Sequence, residues 1–191
     1  MAGRQTVILD FLDDDLKLKI DEFRNKTTSI DNKSRSLEEQ RIHFDKYCSD
    51  RDIKKWIIIL ENDEVIGTTA IFSRQIVFDK QETLLGGVGK VRVRDDKRKM
   101  GLASQMMDEA IKQLNLINSD IAYLCTDTNS FLVRFYEKYG FTKMDKPYTY
   151  LSRSGKKYTE QDGMLAPIKS KQAYDKIMQS SEPLDLGLGN W

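Results

Sequence analysis

The chain is poor in the side chains that build metal centres and disulfide frameworks. Its 191 residues include two cysteines, Cys48 and Cys125, and one histidine, His43. Neither cysteine stands at a spacing typical of metal ligands, so we expect no metal. Cys125 falls in an apolar segment and is predicted to be an unreactive core thiol, which suits a reducing cytoplasm. His43 lies in a polar helical segment without a nucleophile partner and is interpreted as a surface residue.

Long apolar runs and a strong net charge are also lacking. The longest purely apolar run, Trp56–Leu60, has five residues, whereas a transmembrane helix needs about 20. The first residues show no charged-then-apolar signal pattern. With 31 basic against 30 acidic side chains, no global field attracts nucleic acid or a membrane. We therefore expect one cytoplasmic domain, residues 1–191, in which residues 152–191 form a C-terminal extension.

The segment from Val91 to Ser104 carries the most information. It begins as an alternating strand, continues as a short basic loop with one glycine, and opens into an amphipathic helix. Apolar residues recur in that helix at helical spacing, at Leu102, Met106, Ala110, Ile111 and Leu114. Backbone N–H groups at the positive end of a helix hold a phosphate without a particular side chain. The alternative is an ordinary surface helix after a solvated basic turn.

The glycine-rich segment just before it, residues 86–90, resembles a nucleotide-binding P-loop only superficially. That motif needs a glycine where this chain has Leu84, and a serine or threonine where it has Val91. Its Gly-Lys pair should also begin a helix, whereas Val91 and Val93 continue a strand. The glycines fit better as a bulged strand that a ligand or another part of the backbone approaches closely.

A second strand, loop and helix follow downstream. Residues 121–125 form a buried type of strand, 126–129 a loop, and 130–139 a helix closed by Gly140. The helix contains Phe-Tyr-Glu-Lys-Tyr-Gly-Phe at residues 135–141. Phe131 and Phe135 share a helix face, so core packing alone could also account for the aromatic residues.

Together the two motifs resemble those of the GNAT N-acetyltransferase superfamily. Residues 98–103 have the Arg/Gln-x-x-Gly-x-Gly/Ala spacing, and residues 135–141 match Phe-Tyr-x-Lys-x-Gly-Phe, in the same order and each at a strand-to-helix junction. The resemblance implies an α/β (α+β) fold in which helices flank a mixed, mostly antiparallel sheet. It also implies that the sheet is splayed between its fourth and fifth strands, with acetyl-CoA in the cleft.

The other elements are predicted from periodicity and turn signals. Strands are expected at residues 7–11, 55–61, 64–76, 83–93, 142–151 and 164–168. Helices are expected at residues 16–25, 37–47 and 171–178. A hairpin turn is expected at Asn62-Asp63, and residues 182–191 are expected to form an irregular tail.

The resemblance also implies roles for individual residues toward acetyl-CoA. The main chain of Val91, Arg92 and Val93 would pair with the pantetheine amides and polarise the thioester carbonyl. The pyrophosphate would lie on Arg98, Lys99, Met100, Gly101, Leu102, Ala103 and Ser104. Tyr136 would be the general acid that protonates the departing thiolate, the alternative being a half-buried structural tyrosine. Asn129 and Lys138 are expected as further cofactor contacts.

Outside the two motifs, the chain is similar to the aminoglycoside 2'-N-acetyltransferase branch. The similarity rests on the turn before the fourth strand, the Asp162-Gly163 step and Trp191, the last residue given. In that branch the carboxylate of the terminal tryptophan helps to bind the cationic antibiotic; the alternative is that Trp191 only packs on the domain. The expected substrate-binding residues are Glu82, Asp127, Asp162 and Trp191. The chain departs from the branch where acidic residues are replaced by Gly89, Gln161 and Gly189.

These observations predict an acetyl-CoA-dependent N-acetyltransferase. Its acceptor would be a primary amine of a small cationic molecule, with an aminoglycoside as one candidate, and transfer would be direct through a tetrahedral intermediate. One alternative is acetylation of a protein N-terminus or lysine, which needs a peptide groove. Another is a non-catalytic acyl-CoA-binding module, which would not require Tyr136. A homodimer is left open.

Overall fold

The computed structural model describes residues 3–27, 36–47 and 50–191. The strands are β1 Arg4–Leu9, β2 Ile53–Glu61, β3 Glu64–Phe78, β4 Gln81–Val93, β5 Ile121–Cys125, β6 Thr142–Lys143, β7 Tyr148–Leu151, β8 Lys157–Glu160, β9 Gly163–Pro167 and β10 Leu184–Leu188. The helices are α1 Asp14–Asn25, α2 Leu37–Lys46, α3 Leu102–Leu116, α4 Leu132–Glu137 and α5 Lys171–Gln179.

A seven-stranded sheet in the order β1-β2-β3-β4-β5-β9-β6 forms the centre of the molecule. β4 and β5 run parallel, and the other neighbours in this sheet run antiparallel. Two tight hairpins build its first half. The turn between β2 and β3 has positive φ angles at Asn62 and Asp63, and the turn between β3 and β4 has them at Asp79 and Lys80. Such turns match the right-handed twist of the flanking strands.

Side chains that alternate along the strands divide the interior into two faces. On one face, Ile57 of β2 and Leu124 of β5 pack with α3 and α4. On the other, Ile58 of β2 packs with α1, and Tyr123 of β5 packs with α5 and β7. The sheet is thus buried on both sides, which explains the nearly continuous apolar sequence of β2 and β3.

A second sheet of three strands, in the order β10-β7-β8, lies against the face that carries Tyr123. β7 pairs antiparallel with β8 and parallel with β10. The predicted strand over residues 142–151 is therefore wrong in its extent, because β6 belongs to the central sheet and β7 to the second one. Pro147 interrupts the segment between them; it lacks the N–H that a continuous central strand would donate.

The predicted irregular tail is also corrected. Residues 184–188 form β10, which pairs with β7, and β8 was not predicted at all. The predicted helix over residues 130–139 is shorter, spanning Leu132–Glu137. The mixed fold, the first hairpin and the elements that carry both motifs agree with the prediction. Cys48 and most of the polar stretch between α1 and α2 lie outside the described residues.

The C-terminal segment returns to the central sheet and ends on it. The Trp191 ring stacks on Phe72 of β3 with ring centroids 5.3 Å apart. Arg74 holds the segment, since its guanidinium lies 4.5 Å from the Trp191 ring centroid and donates to the carbonyl of Gly189 at 2.9 Å. A Cβ atom at Gly87 of β4 would overlap the indole. Gly87 therefore has no side chain for a packing reason.

This contact predicts coupled stabilities for Gly87 and Trp191. Gly87→Ala should lower the free energy of unfolding by about 1–3 kcal/mol, because its methyl group displaces the indole. In a Trp191→Ala background the same substitution should cost much less, since the space is then open. Urea unfolding of the two single variants and the double variant measures the coupling. For residues that do not touch, the changes in free energy of unfolding usually add to within about 0.5 kcal/mol. Such additivity for Gly87→Ala and Trp191→Ala would contradict this packing.

Candidate active site

The central sheet opens between β4 and β5. These strands pair only at Leu85–Ile121, Gly86–Ala122 and Gly87–Tyr123. β4 continues to Val93 and β5 to Cys125, and among the described strands nothing pairs with either along the opened edges. The gap exposes main-chain groups of β4 that a sheet would otherwise satisfy. An extended amide-containing molecule can therefore hydrogen-bond there as an additional strand would.

A bulge on β4 shapes this opened edge. Thr68 pairs with Arg92 and Ala70 with Gly89, so Lys90 and Val91 together oppose Thr69. Lys90 adopts a left-handed conformation with φ 55°. The Thr68 hydroxyl donates to the Lys90 carbonyl at 3.1 Å, and the Thr69 hydroxyl donates to the Gly89 carbonyl at 3.0 Å. The bulge turns Val91, Arg92 and Val93 relative to the first half of the strand.

The N-terminus of α3 lies after this edge and differs from those of the other long helices. Asp13, Ser36 and Ser170 cap α1, α2 and α5 with their side-chain oxygens. The N-cap of α3 is Gly101, with φ 80°, and among the described residues no side chain caps it and no acidic residue stands in its first turn. The first N–H groups of α3 are therefore available to an anion, together with the positive end of the helix dipole.

The loop before α3 is stiffened by ion pairs. Arg94 pairs with Glu64 at 2.6 Å and with Asp96 at 2.7 Å, and Lys97 pairs with Glu61. The Arg94 and Lys97 charges are thus committed within the protein. Lys99 and Gly101 are exposed at the tip, and a Cβ atom at Gly101 would meet nothing within 4 Å. Open space over a bare helix start fits a pyrophosphate group.

Tyr136 lies on the same face of the sheet as α3. Its side chain is 8% exposed and belongs to the buried cluster that contains Val88 of β4 and Leu124 of β5. The ring packs edge-on against Phe135 and Phe141, with centroids 5.1 Å and 6.2 Å apart. Tyr136 is thus fixed within the core on the α3 face of the sheet. Asn129 and Lys138 are exposed before and after α4.

A cluster of tyrosines and carboxylates occupies the opposite face of the opened strands. Asp162 directly precedes β9, and its main-chain oxygen accepts the N–H of Thr126, just beyond β5, at 3.0 Å. The Tyr148 hydroxyl donates to Asp162. The pKa of the Asp162 carboxyl lies above its usual range, mainly because the group is buried. The hydrogen bond from Tyr148 opposes this shift, and the negative charge of Glu160 adds to it. Burial likewise raises the pKa of the Cys125 thiol to about 12, so it stays protonated.

A cavity of about 510 Å³ adjoins this cluster. Its lining includes Asn129 from the loop before α4 and Asp162 from the loop before β9. The structure thus brings together one residue predicted to contact the cofactor and one predicted to contact the acceptor. Trp191 closes the neighbouring part of the gap, where the Cys125 thiol donates to its main-chain oxygen at 3.2 Å.

The comparisons with known proteins settle the family. A sequence model of the Acetyltransferase (GNAT) domain matches residues 19–144, which is more than half of the chain. The chain belongs to the GNAT acetyltransferase family. The predicted acetyltransferase class is thereby confirmed, whereas the aminoglycoside branch stays a prediction. No sequence among the curated proteins matches the chain.

Solved GNAT structures share the fold at low sequence identity. A GNAT family N-acetyltransferase from Escherichia coli, solved in complex with CoA, has a TM-score of 0.59 at 17% identity, covering 96% of this chain and 90% of that one. The E. coli ribosomal-protein-S18-alanine N-acetyltransferase has a TM-score of 0.54 at 14% identity, covering 86% and 94%. A conserved protein of unknown function from Enterococcus faecalis V583 has a TM-score of 0.51 at 15% identity. The match covers 74% of this chain but only 33% of the Enterococcus protein.

One of the predicted acceptor residues, Glu82, does not lie where expected, and a second, Asp127, has a structural role as well. Glu82 pairs with Val77 at the hairpin end of β4, on the far side of the β4–β5 pairing from the GNAT cleft. It lies too far along β4 to contact an acceptor in that cleft, so the prediction that Glu82 binds the substrate is wrong. Asp127 lies near the cleft, but its carboxylate accepts the N–H of Asn129 at 2.9 Å and holds the loop before α4. That contact leaves one carboxylate oxygen of Asp127 for other partners.

Three residues near Asp162 on the face of the sheet opposite α3 were not predicted from the sequence: Tyr148, Glu160 and Asn190. The Tyr148 hydroxyl lies 3.1 Å from Glu160 and accepts from the Asn190 amide at 3.2 Å. The apolar alternation Leu184-Asp-Leu-Gly-Leu188 was a signal for β10, and β10 is the element that carries Asn190 to the cluster.

Within residues 3–27, 36–47 and 50–191, no helix has the length and apolar content to cross a bilayer. In the same ranges, no group of three or more histidine, cysteine, aspartate or glutamate side chains is arranged to hold a metal ion.

Proposed function

We propose that the protein is an acetyl-CoA-dependent N-acetyltransferase that acts on a primary amine of a small cationic molecule. The observation that carries the proposal is the bare N-terminus of α3 next to the opened edge of β4. This combination offers main-chain donors to a pyrophosphate and to an amide-containing arm. The likeness in fold to an E. coli GNAT enzyme solved with CoA supports the same cofactor.

The cofactor contacts follow from this arrangement. Arg98, Lys99, Met100, Gly101, Leu102, Ala103 and Ser104 would hold the pyrophosphate, mainly through main-chain N–H groups. The main chain of Val91, Arg92 and Val93 would pair with the pantetheine arm and polarise the thioester carbonyl. Asn129 and Lys138 are the proposed further contacts, one on each side of α4.

The acetyl group would pass directly to the amine, with Tyr136 as the general acid. When the carbon–sulfur bond breaks, the sulfur gains negative charge, and a hydroxyl group placed beside it can supply a proton. The burial of Tyr136 in the core on the α3 face, in the same cluster as Val88 of β4 and Leu124 of β5, supports this role. A binding module without catalysis would not need a hydroxyl group there.

The acceptor would approach from the opposite face through the cavity that Asp162 lines, with Asp127 in the adjoining loop and Trp191 in the neighbouring part of the gap. The carboxylates favour a cationic amine, but with Glu82 removed they are few for a multiply charged aminoglycoside. Acetylation of a protein N-terminus remains the second candidate, because the fold is similar to that of the E. coli ribosomal-protein-S18-alanine N-acetyltransferase. The pairing of β10 with β7 supports the proposal that residues 152–191 belong to the same domain.

Acetyl-CoA binding can be tested at the start of α3. Gly101→Asp should abolish it, because a carboxylate would repel the pyrophosphate at this uncapped helix start. For the unchanged protein, a hundredfold excess of acetyl-CoA over its dissociation constant should stabilise the fold by about 2.7 kcal/mol. Calorimetric titration and the thermal shift with acetyl-CoA measure both effects.

Gly155→Asp is the matched control. Gly155 has φ 82° and open space around its Cα, so the same substitution causes the same backbone strain in the loop between β7 and β8. It should keep the acetyl-CoA shift. Equal binding by the Gly101→Asp and unchanged proteins would contradict the cofactor assignment.

The role of Tyr136 is tested by Tyr136→Phe. The change retains ring packing, so stability and acetyl-CoA affinity should hold, while kcat should fall about 10²- to 10⁴-fold. Steady-state thiol release with acetyl-CoA and a panel of aminoglycosides, polyamines and peptides gives the rate.

Tyr139→Phe serves as the comparison, since Tyr139 also stands near the end of α4 and donates to the main-chain oxygen of Ser104 at 3.4 Å. It should leave kcat nearly unchanged. Full turnover by Tyr136→Phe would mean that another group supplies the proton.

A further inference from the structure

Asp162 lies at the end of β5, on the face of the sheet opposite α3. Gly163 pairs with Cys125, the last residue of β5, so Asp162 lies just beyond the end of that strand. Its side chain points to the face of Tyr148, opposite α3, and lines the cavity of about 510 Å³. An amine in this cavity would approach the gap from the side away from the pyrophosphate loop.

The hydrogen bonds around Asp162 leave one proton to be shared. The Tyr148 hydroxyl has one hydrogen, yet it lies within hydrogen-bond distance of both Asp162 and Glu160. The Tyr148 oxygen also accepts from the Asn190 amide. Because the hydroxyl has a single hydrogen, Tyr148 can donate to only one of the two carboxylates at a time. A proton on the other carboxyl group would satisfy all three contacts.

The surroundings favour Asp162 over Glu160 as the place for that proton. Glu160 forms an ion pair with Lys46 at 2.5 Å. Asp162 forms no ion pair among the described residues; burial, the largest effect, raises the pKa of its carboxyl group, although the Lys46 charge lowers it. The Cys125 thiol and the buried Tyr47 and Tyr148 surround it. A carboxylate that readily accepts a proton close to a reacting amine is suited to general base catalysis.

We propose that Asp162 is the general base of the reaction, and that Tyr148, whose hydroxyl donates to it, and Glu160, which lies within hydrogen-bond distance of the same hydroxyl, are positioning residues. Above the pKa of Asp162, where its carboxyl group no longer holds the shared proton, the acceptor ammonium gives one N–H proton to the Asp162 carboxylate. The freed nitrogen lone pair forms the bond to the acetyl carbon, which gives a tetrahedral intermediate. The carbon–sulfur bond to CoA then breaks, and the thiolate takes the Tyr136 proton. The nitrogen releases its second proton as the amide forms, and that proton restores the Tyr136 hydroxyl through solvent. The inference rests on the proposed acetyltransferase function and adds the group that receives the amine proton.

The first test is independent of turnover. The carboxyl carbon of Asp162 is followed by ¹³C NMR during a pH titration of the full chain without ligands. Its pKa should lie above the usual aspartate range. It should rise further in Tyr148→Phe, which removes a donor to the charged form, and fall in Glu160→Gln, which removes a neighbouring negative charge. An ordinary pKa, or no response to both substitutions, would overturn the proposal.

The second test is the pH dependence of transfer to four probe amines: phenylethylamine, an alanine-initiated tripeptide, spermidine and kanamycin. With the best of these, Asp162→Asn should lower kcat about 10²- to 10⁴-fold and remove the acidic limb of the profile, with unchanged acetyl-CoA affinity. The limb should move to higher pH in Tyr148→Phe and to lower pH in Glu160→Gln. A merely structural role for Tyr148 would change stability without moving the limb.

Other outcomes separate the two proposals. Asp145→Asn removes the other carboxylate on the cavity, and loss of the limb there instead of in Asp162→Asn would overturn the assignment to Asp162. Normal turnover by Asp162→Asn would overturn it while leaving the acetyltransferase function intact. A chain that binds acetyl-CoA but acetylates none of the four amines would overturn the proposed function, and the role of Asp162 with it.

Discussion

The hydrogen bonding between β4 and β5 extends over three residue pairs and then stops. A parallel pair that separates in this way leaves two rows of main-chain groups facing each other across a gap. Neither row can be satisfied by the other strand, so the protein needs a different occupant for each part of the gap. On one face the occupant is the Trp191 segment, and on the other the proposed occupant is the acyl carrier.

The local elements of the site could be predicted because their signals are local. The basic loop before α3 and the Phe-Tyr-x-Lys-x-Gly-Phe segment each encode a strand-to-helix junction within about a dozen residues. Capping, turn chemistry and helical periodicity act over that distance. The family and its acetyltransferase class followed from these two junctions.

The acceptor face could not be predicted in the same way, because its residues meet only through pairing between distant strands. Tyr148, Glu160 and Asn190 come from separate segments, and nothing in any one segment shows that they converge on Asp162. Glu82 illustrates the opposite error. It lies in the same strand as the cleft, but strand length carries it to the far end, since each residue advances about 3.3 Å along the strand.

The two faces of the opened strands differ in the kind of chemical group that they present to a ligand. The proposed donors to the acyl carrier are mostly main-chain groups, which do not depend on side-chain identity, whereas the tyrosine and carboxylate cluster consists of side chains. Substitutions on β7, β8 and the C-terminal segment can therefore change the specificity for the acceptor without changing how the acyl-CoA donor is bound. A single scaffold of this kind can give rise to enzymes that share one donor and differ widely in what they modify.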